Sequence, residues 1–433
     1  MDTSYLKQFY KKTRNEKIQA LQQAGVISAA DAQMLKEGLS LPDEAAENMI
    51  ENQLAKYELP YGVAPGFLID GKEYVVPMAM EEPSVIAAAS AAAKVIGAAG
   101  GFHTTISKRR MIGQIALKDL PDLAAAEKMV LANKAAILQL ANRAHPSIVK
   151  RGGGAKALEV RLLPADATID SPDFLVVQLQ IETLEAMGAN IVNTMMEGIR
   201  DELEELTGGT VLMGILSNYA IECLATATCR IPAHLLKRGQ FSGADVRDRL
   251  IEAFQFAYVD PYRAVTHNKG IMNGIDAVVL ASGNDWRAIE AGAHAYAAKD
   301  GQYRSLTTWS KADNGDLLGE LTLPLPVGTV GGSIGIHPAA QFTKRLLNYA
   351  SAQELEAVIV SVGLAQNFSA LKALVTEGIQ KGHMGLHARS LAINVGAQGK
   401  EIDQVTQQLK KAKNMNTATA EQLLAAIRQS AQH

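Results

Sequence analysis

Apolar and polar positions change period twice along the chain. Over the first fifty residues the apolar positions recur at helical spacing. In NEKIQALQQAG, Ile18, Leu21 and Ala24 share one face, and Gly25 ends the run. AADAQMLKEG stops in the same way at Gly38, and LPDEAAENMIENQLAKYEL predicts a longer helix closed by Pro60. GFLIDGKEYVVPM then predicts a hairpin that turns at Asp70-Gly71. An Ala-rich run from about Pro83 predicts a long helix, of the kind that can sit at the centre of a domain.

From about residue 109 the period shortens. GQIALKDL, AKALEVRLLP and DFLVVQLQIET predict strands; within ALEVRLL, Leu158, Val160 and Leu162 alternate with Glu159 and Arg161. AAAEKMVLANKAAILQLANRA and ANIVNTMMEGIRDELEEL predict the intervening helices, and GTVLMGILS a closing strand. This order predicts an inserted α+β unit over 109–217. Beyond it GADVRDRLIEAFQFAYVD reads as helix, DAVVLAS as strand and DWRAIEAGAHAYAAK as helix, and YRSLTTWS and LLGELTLPLPV as strands. The glycine-rich turn GTVGGSIG precedes helices to about residue 380. The tail ends in helices, one opened by Thr419 with Gln422 completing a capping box.

Composition narrows the class. A chain of 433 residues exceeds one small core, so two or three domains are expected. Hydrophobic residues make up 48% and charged residues 20%, the balance of a soluble globular protein. The net charge of −3 leaves no global footprint for nucleic acid. Cys223 and Cys229 have no second pair with which to build a zinc site, so they are expected as free thiols in a reducing compartment. MDTSYLKQFYKKTRNEK lacks the apolar core of a secretory signal, and VIAAASAAAKVIGAAGG is interrupted by Lys94 and too short to span a membrane. A cytoplasmic chain without a membrane part is expected.

Generic motifs say little. RGGGAKALEV carries G-x-G-x-x-A at Gly152, Gly154 and Ala157, but a helix precedes it and a strand follows, the reverse of a dinucleotide fingerprint. In EAMGANIVNTMMEGI, Gly188 stands directly before a helical run. The free N–H groups of that helix could meet a phosphate, or the glycine could serve only a turn. Lys269 beside His267 fits a surface lysine as well as a catalytic one, and Asp285 fits an N-cap. Glu81 and Glu82 before Pro83 fit a helix-dipole arrangement. GHMGLHAR sets His383 and His387 four apart, as a metal pair, a packing pair or a proton carrier with its neighbour. Met384, Gly385 and Leu386 lie between them, and no third ligand has suitable spacing for a tetrahedral site, so no metal is expected.

Taken in order, ENMIENQLAKYELPYGVAPGF, MEEPSVIAAAS, AMGAN, DPYRAVTHNKGIMNGIDAVVLASGNDWRAIEAGAHAYA, PVGTVGG, GLAQN and GHMGLHAR resemble the bacterial, soluble class of 3-hydroxy-3-methylglutaryl-CoA reductase, called class II. The resemblance runs from about residue 14 into the tail. It implies an α+β fold. A large substrate-binding domain around a central helix, 1–108 and 218–375, is interrupted by a small ferredoxin-like, non-Rossmann cofactor domain, 109–217. A helical flap, 376–433, follows. It also implies reduction of a CoA thioester by two hydrides to mevalonate and free CoA.

The four chemical residues implied by the resemblance are Glu82 in EEPS, Lys269 in HNKG, Asp285 in GNDW and His383 in GHMGLH. Hydride attack on the thioester makes an oxyanion, which a lysine ammonium stabilises. A histidine can protonate the leaving thiolate. A glutamic acid kept protonated by a neighbouring carboxylate, here Asp285, can supply the last proton, and Asp285 would also orient Lys269. Arg263 is implied for the substrate carboxylate. Ser84, Asn273 and Gln366 are implied as polar substrate contacts, and Arg14 as a contact to CoA phosphates. The cofactor signature falls on Ala186, Met187, Gly188, Ala189 and Asn190, with Asn218 nearby. The family usually carries Asp before AMGAN; this chain carries Glu185, one methylene longer. NADH-preferring members carry a carboxylate shortly after LANR, where this chain has Ala144 and His145. That favours NADPH, or use of both NADPH and NADH. A homodimer with shared active sites, or a larger assembly of such dimers, is implied. A hydrolytic metalloenzyme built on His383 and His387, and a non-catalytic CoA-binding sensor, are the competing readings.

Overall fold

The computed structural model describes residues 1–378 and 388–430. Among them ten strands form two sheets: β1 (Tyr61–Ile69), β2 (Lys72–Ala79), β3 (Phe102–Ile106), β4 (Arg110–Lys118), β5 (Gly154–Leu163), β6 (Phe174–Glu182), β7 (Thr210–Ser217), β8 (Leu224–Ile231), β9 (Thr307–Lys311) and β10 (Leu317–Pro324). The six-stranded sheet runs β2-β1-β3-β8-β10-β9, antiparallel except where β1 meets β3. The four-stranded sheet runs β5-β6-β4-β7 and is antiparallel throughout. The chain is a mixed α+β protein with many helices.

The expected hairpin forms. β1 and β2 pair from Tyr61 with Ala79 to Ile69 with Lys72, and Asp70 and Gly71 take left-handed conformations at the turn. The helix Val85–Ala98 packs on β1, yet Ala87, Ala91 and Lys94 remain exposed. The centre is taken instead by Ala352–Val375, in which every residue from Leu355 to Phe368 is buried. A helix apolar on all sides belongs inside a core. This helix is the one, among the described residues, long and apolar enough to cross a membrane, and it spends that surface on Val85–Ala98, Pro261–Ala281 and the six-stranded sheet.

Several expected elements differ. DAVVLAS is the end of the helix Pro261–Ala281, not a strand, because a short β-branched run has no periodicity that separates a strand from a buried helical turn. Gly270 and Gly274, which follow Lys269, lie inside the same helix. Gly274 sits there because a Cβ would stand 3.0 Å from Gln366 Cβ on the neighbouring helix. The long helix expected up to Pro60 stops at Met49; Leu54 and Tyr57 beyond it are 97% and 91% exposed. The two helices of the middle region each break, at Asn133 and near Gly198. The last helix is Thr417–Ser430, and Asn416 Oδ1 accepts from Thr419 N at 2.9 Å, so Asn416 replaces Thr419 as the cap. β3 and β8 were not signalled at all, since LATATCRI alternates small residues of weak contrast.

Separate apolar clusters fill the two sheets' helix-covered sides. A third joins the N-terminal helices to Phe342 and Leu346, and a fourth, around Ala388, Leu391, Val405, Leu409 and Leu424, belongs to the tail alone.

Candidate active site

Asp260 starts the helix that carries most of the expected side chains. Its carboxylate accepts from Tyr262 N at 3.3 Å and Arg263 N at 3.1 Å, with Pro261 at the first helical position. Lys269 and Asn273 then lie one turn apart on one face. Both reach Glu82, from the loop between β2 and Val85–Ala98: Lys269 Nζ lies 2.7 Å from Oε2, and Asn273 Nδ2 donates to Oε1 at 3.3 Å. Ser84, two residues after Glu82, holds a φ of +78°, a strained conformation of the kind that clusters at functional sites.

Glu82, Ser84, Arg263, Lys269, Asn273, Asp285 and Gln366 all line one cleft of about 2590 Å³. Drug-sized ligands fill about 300–1,000 Å³. The cleft therefore has room for two extended ligands at once. Arg263 is half-buried, and among the described residues its guanidinium has no carboxylate partner; burial pushes its pKa down. Gln366 is buried with Oε1 unpartnered. Asp285 is an N-cap, as the sequence suggested: Oδ1 accepts from Arg287 N at 3.0 Å and Ala288 N at 3.3 Å and pairs with the Arg287 guanidinium at 3.1 Å. No described contact joins it to Lys269 or Glu82.

His267, two residues before Lys269, was not singled out by the sequence. It is buried among polar neighbours. Trp309 Nε1–H donates to Asn367 Oδ1 at 2.8 Å, which turns the Asn367 amide to donate to His267 Nε2 at 3.0 Å. Nε2 thus accepts from Asn367, with Thr307 Oγ1 at 2.7 Å and Ser305 Oγ at 2.9 Å beside it, while Nδ1 is buried without a partner among the described residues. Burial first, then the Arg263 charge, push the imidazole down to about 3. These partners lie 58 and 100 residues apart in pairs, beyond any local pattern.

Ala186, Met187, Gly188, Ala189 and Asn190 line the same cleft. Gly188 has a φ of +98°, and a Cβ there would stand 2.2 Å from Thr183 Cγ2. It introduces the helix Ala189–Glu197, whose N-terminus has no side-chain cap. Uncapped N–H groups at the cleft wall suit a phosphate-bearing ligand, so this segment fits a dinucleotide. Three other expected cofactor contacts sit elsewhere. Glu185 is outside the cleft lining, and its Oε2 accepts from Thr329 Oγ1 and Ala352 N. Asn218 is exposed, and His145 Nδ1 lies 3.3 Å from Ser147 Oγ. Arg14 also lines the cleft, and its guanidinium donates to the carbonyls of Leu35 and Lys36. His383, with His387, lies outside the described residues. Among the described residues no group of three or more His, Cys, Asp or Glu is placed to hold a metal ion.

Comparison with known proteins gives one consistent answer. The family described as hydroxymethylglutaryl-coenzyme A reductase matches residues 13–388. The 3-hydroxy-3-methylglutaryl-coenzyme A reductase of Archaeoglobus fulgidus is 44% identical over 400 residues, covering 92% of this chain and 89% of its own. The reductase of Streptococcus pneumoniae superposes with a TM-score of 0.84 at 47% identity, over 97% of this chain and 99% of its own. A second structure of that class II enzyme, bound to NADPH in open conformations, gives a TM-score of 0.82 at 47% identity, over 96% and 100%. The chain belongs to the hydroxymethylglutaryl-coenzyme A reductase family.

Proposed function

We infer that this chain reduces 3-hydroxy-3-methylglutaryl-CoA to mevalonate and CoA with two equivalents of NADPH, as an oxidoreductase of the mevalonate pathway. The observation that carries the reading is the contact of Lys269 and Asn273 with Glu82 in a cleft that also contains the segment 186–190. The nicotinamide, when bound, supplies the hydride for each reduction. Lys269 stabilises the oxyanion that develops on the substrate carbonyl, its ammonium held by Glu82. Asn273 fixes the Glu82 carboxyl from the other side. Glu82 and Lys269 between them deliver the alkoxide proton. Asp285 acts from the mouth of the helix Trp286–Ala297, as a fixed negative charge in the same cleft. Arg263 takes the substrate carboxylate, and Ser84 and Gln366 its polar groups. His383, from the flap, protonates the CoA thiolate.

The finer architecture is part of the same proposal. The strand order β5-β6-β4-β7, with helices between β4 and β5 and between β6 and β7, supports a ferredoxin-like cofactor domain over 109–217. The separate cluster of the tail supports a flap over 376–433 that moves as a unit while cofactor exchanges. The exposed apolar side chains Leu54, Tyr57, Phe256, Val259 and Tyr262 support a homodimer. NADPH is favoured because LANRAHPS offers no carboxylate to repel a 2′-phosphate.

The test follows absorbance with 3-hydroxy-3-methylglutaryl-CoA and NADPH, and in parallel with NADH. Oxidation that depends on the thioester is expected, faster with NADPH. No thioester-dependent oxidation with either cofactor sinks the reading, and a large preference for NADH overturns the cofactor choice.

A further inference from the structure

The turn that leaves β6 is fastened before it reaches the cleft. Ala186 pairs with Val330 as a parallel bridge, and Thr329 N donates to Glu185 O at 2.8 Å. The Glu185 side chain doubles this contact. Its Oε2 accepts from Thr329 Oγ1 at 3.0 Å and from Ala352 N, the first residue of the central helix, at 2.8 Å. A carboxylate at a helix N-terminus is favoured by the helix dipole as well as by the hydrogen bond. The loop and the turn touch so closely that a Cβ on Gly328 would stand 2.8 Å from Met187 N.

Both chain crossings between the two sheets are fixed to these same elements. Leu325 N donates to Cys223 O at 3.0 Å. The buried Arg109 guanidinium reaches Val327 O and meets Glu356 Oε1 at 2.6 Å, one turn along the helix from Ala352. The loop 325–330 and the start of the central helix thus form one anchorage, and Glu185 is its link to the segment that lines the cleft.

We propose that Glu185 is a positioning residue, not a cofactor ligand: its carboxylate clasps the 183–190 segment to Thr329 and Ala352 and so sets where the helix Ala189–Glu197 presents its N–H groups to the cofactor. This rests on the cleft being the cofactor site. The clasp needs an acceptor oxygen at the reach of a glutamate side chain, and it needs no charge for the Thr329 bond.

The test compares Glu185→Gln, Glu185→Ala and Thr329→Val with the unaltered chain. Dissociation constants for NADPH and NADH are read by fluorescence, beside kcat, KM for each substrate and Tm. The clasp predicts that Glu185→Ala weakens both cofactors equally, by about 10-fold, the loss of a charge-assisted hydrogen bond. Glu185→Gln stays within about 3-fold, because its amide oxygen accepts at the same reach. Thr329→Val shifts both in the same direction and by less, with KM for the acyl-CoA unchanged. A direct ligand would instead give a changed NADPH-to-NADH ratio with Gln behaving as Ala, and that result overturns the clasp. So does a fall in Tm with both dissociation constants unchanged. Failure of the unaltered chain to bind either cofactor overturns the functional reading and the clasp with it; normal binding in the unaltered chain and in Glu185→Ala overturns the clasp alone.

Discussion

Lys269 Nζ and Glu82 Oε2 lie 2.7 Å apart across 187 residues of chain, and Asn273 holds the other oxygen of the same carboxylate. Lys269 is 60% exposed and Glu82 37%. A pair so placed adds at most about 1 kcal/mol to stability. In the proposed mechanism its value lies in the chemistry. Lys269→Ala is expected to lower kcat for thioester reduction by about 10²–10³-fold, with Tm nearly unchanged. Near-normal turnover by that variant removes Lys269 from the mechanism.

Arg263 presents a half-buried cation without a carboxylate partner among the described residues, and burial lowers its pKa. Such a group is disfavoured in the free protein and waits for an anion. Arg263→Ala should therefore raise KM for the acyl-CoA by about 10–100-fold and leave Tm equal or slightly higher. A clear drop in Tm with KM unchanged would make Arg263 structural. Arg263→Lys should recover little, because a lysine lacks the bidentate fork.

Elements decided within one turn of chain were legible in the sequence. Asp70-Gly71 makes its hairpin, and Asp285 caps its helix, because each outcome depends on a few neighbouring atoms. The blocks that line the cleft were legible through their resemblance to a family, which carries tertiary information that no local pattern holds. What depended on distant partners was hidden. DAVVLAS became helix because Asp260 had started a helix sixteen residues earlier and the core buried most of the segment. The partners of Glu185 lie far along the chain: Thr329 and Ala352, 144 and 167 residues on, take its carboxylate. His267 passed as a flanking residue until Trp309 and Asn367 fixed its ring.

The two histidines of GHMGLHAR should separate under mutation. In the proposed mechanism His383 hands a proton to the CoA thiolate, and His387, four residues on, only packs or orients the flap. His383→Ala is expected to slow reduction of the thioester far more than His387→Ala, while reduction of added mevaldehyde, which releases no thiolate, is largely spared. Equal losses in both variants would mean that the pair is divided wrongly.

The exposed apolar face beside the active-site helix should be the subunit contact. Phe256 and Val259 are 56% and 65% exposed near the end of the helix Gly243–Val259, and Tyr262, at 90%, follows at the same spacing. An apolar stripe of this kind on a free surface marks an interaction site. Phe256→Glu with Val259→Glu is expected to convert a dimer to a monomer in sedimentation velocity, and activity should fall with it if the cleft is completed by the partner. An unaltered dimer would move the interface elsewhere.

His267 gives the structure a defined acid response. Its ring is 2% exposed, and its pKa is lowered from the ordinary 6.5 to about 3 by burial and by Arg263. The unfolded chain binds a proton here below pH 6.5, whereas the folded chain does not until about pH 3. The stability tied to His267 is therefore complete above pH 6.5 and falls away as the pH drops toward 3. The slope is at most about 1.4 kcal/mol per pH unit for one proton. His267→Gln keeps an acceptor for the Asn367 amide but cannot titrate. It should be less stable than the unaltered protein at pH 7.5, and the gap should narrow steadily in denaturant melts from pH 6 to pH 4.5. His337, whose pKa burial lowers, is common to both proteins and shifts both curves alike. Parallel curves over that interval would show that another group, and not His267, carries the acid sensitivity.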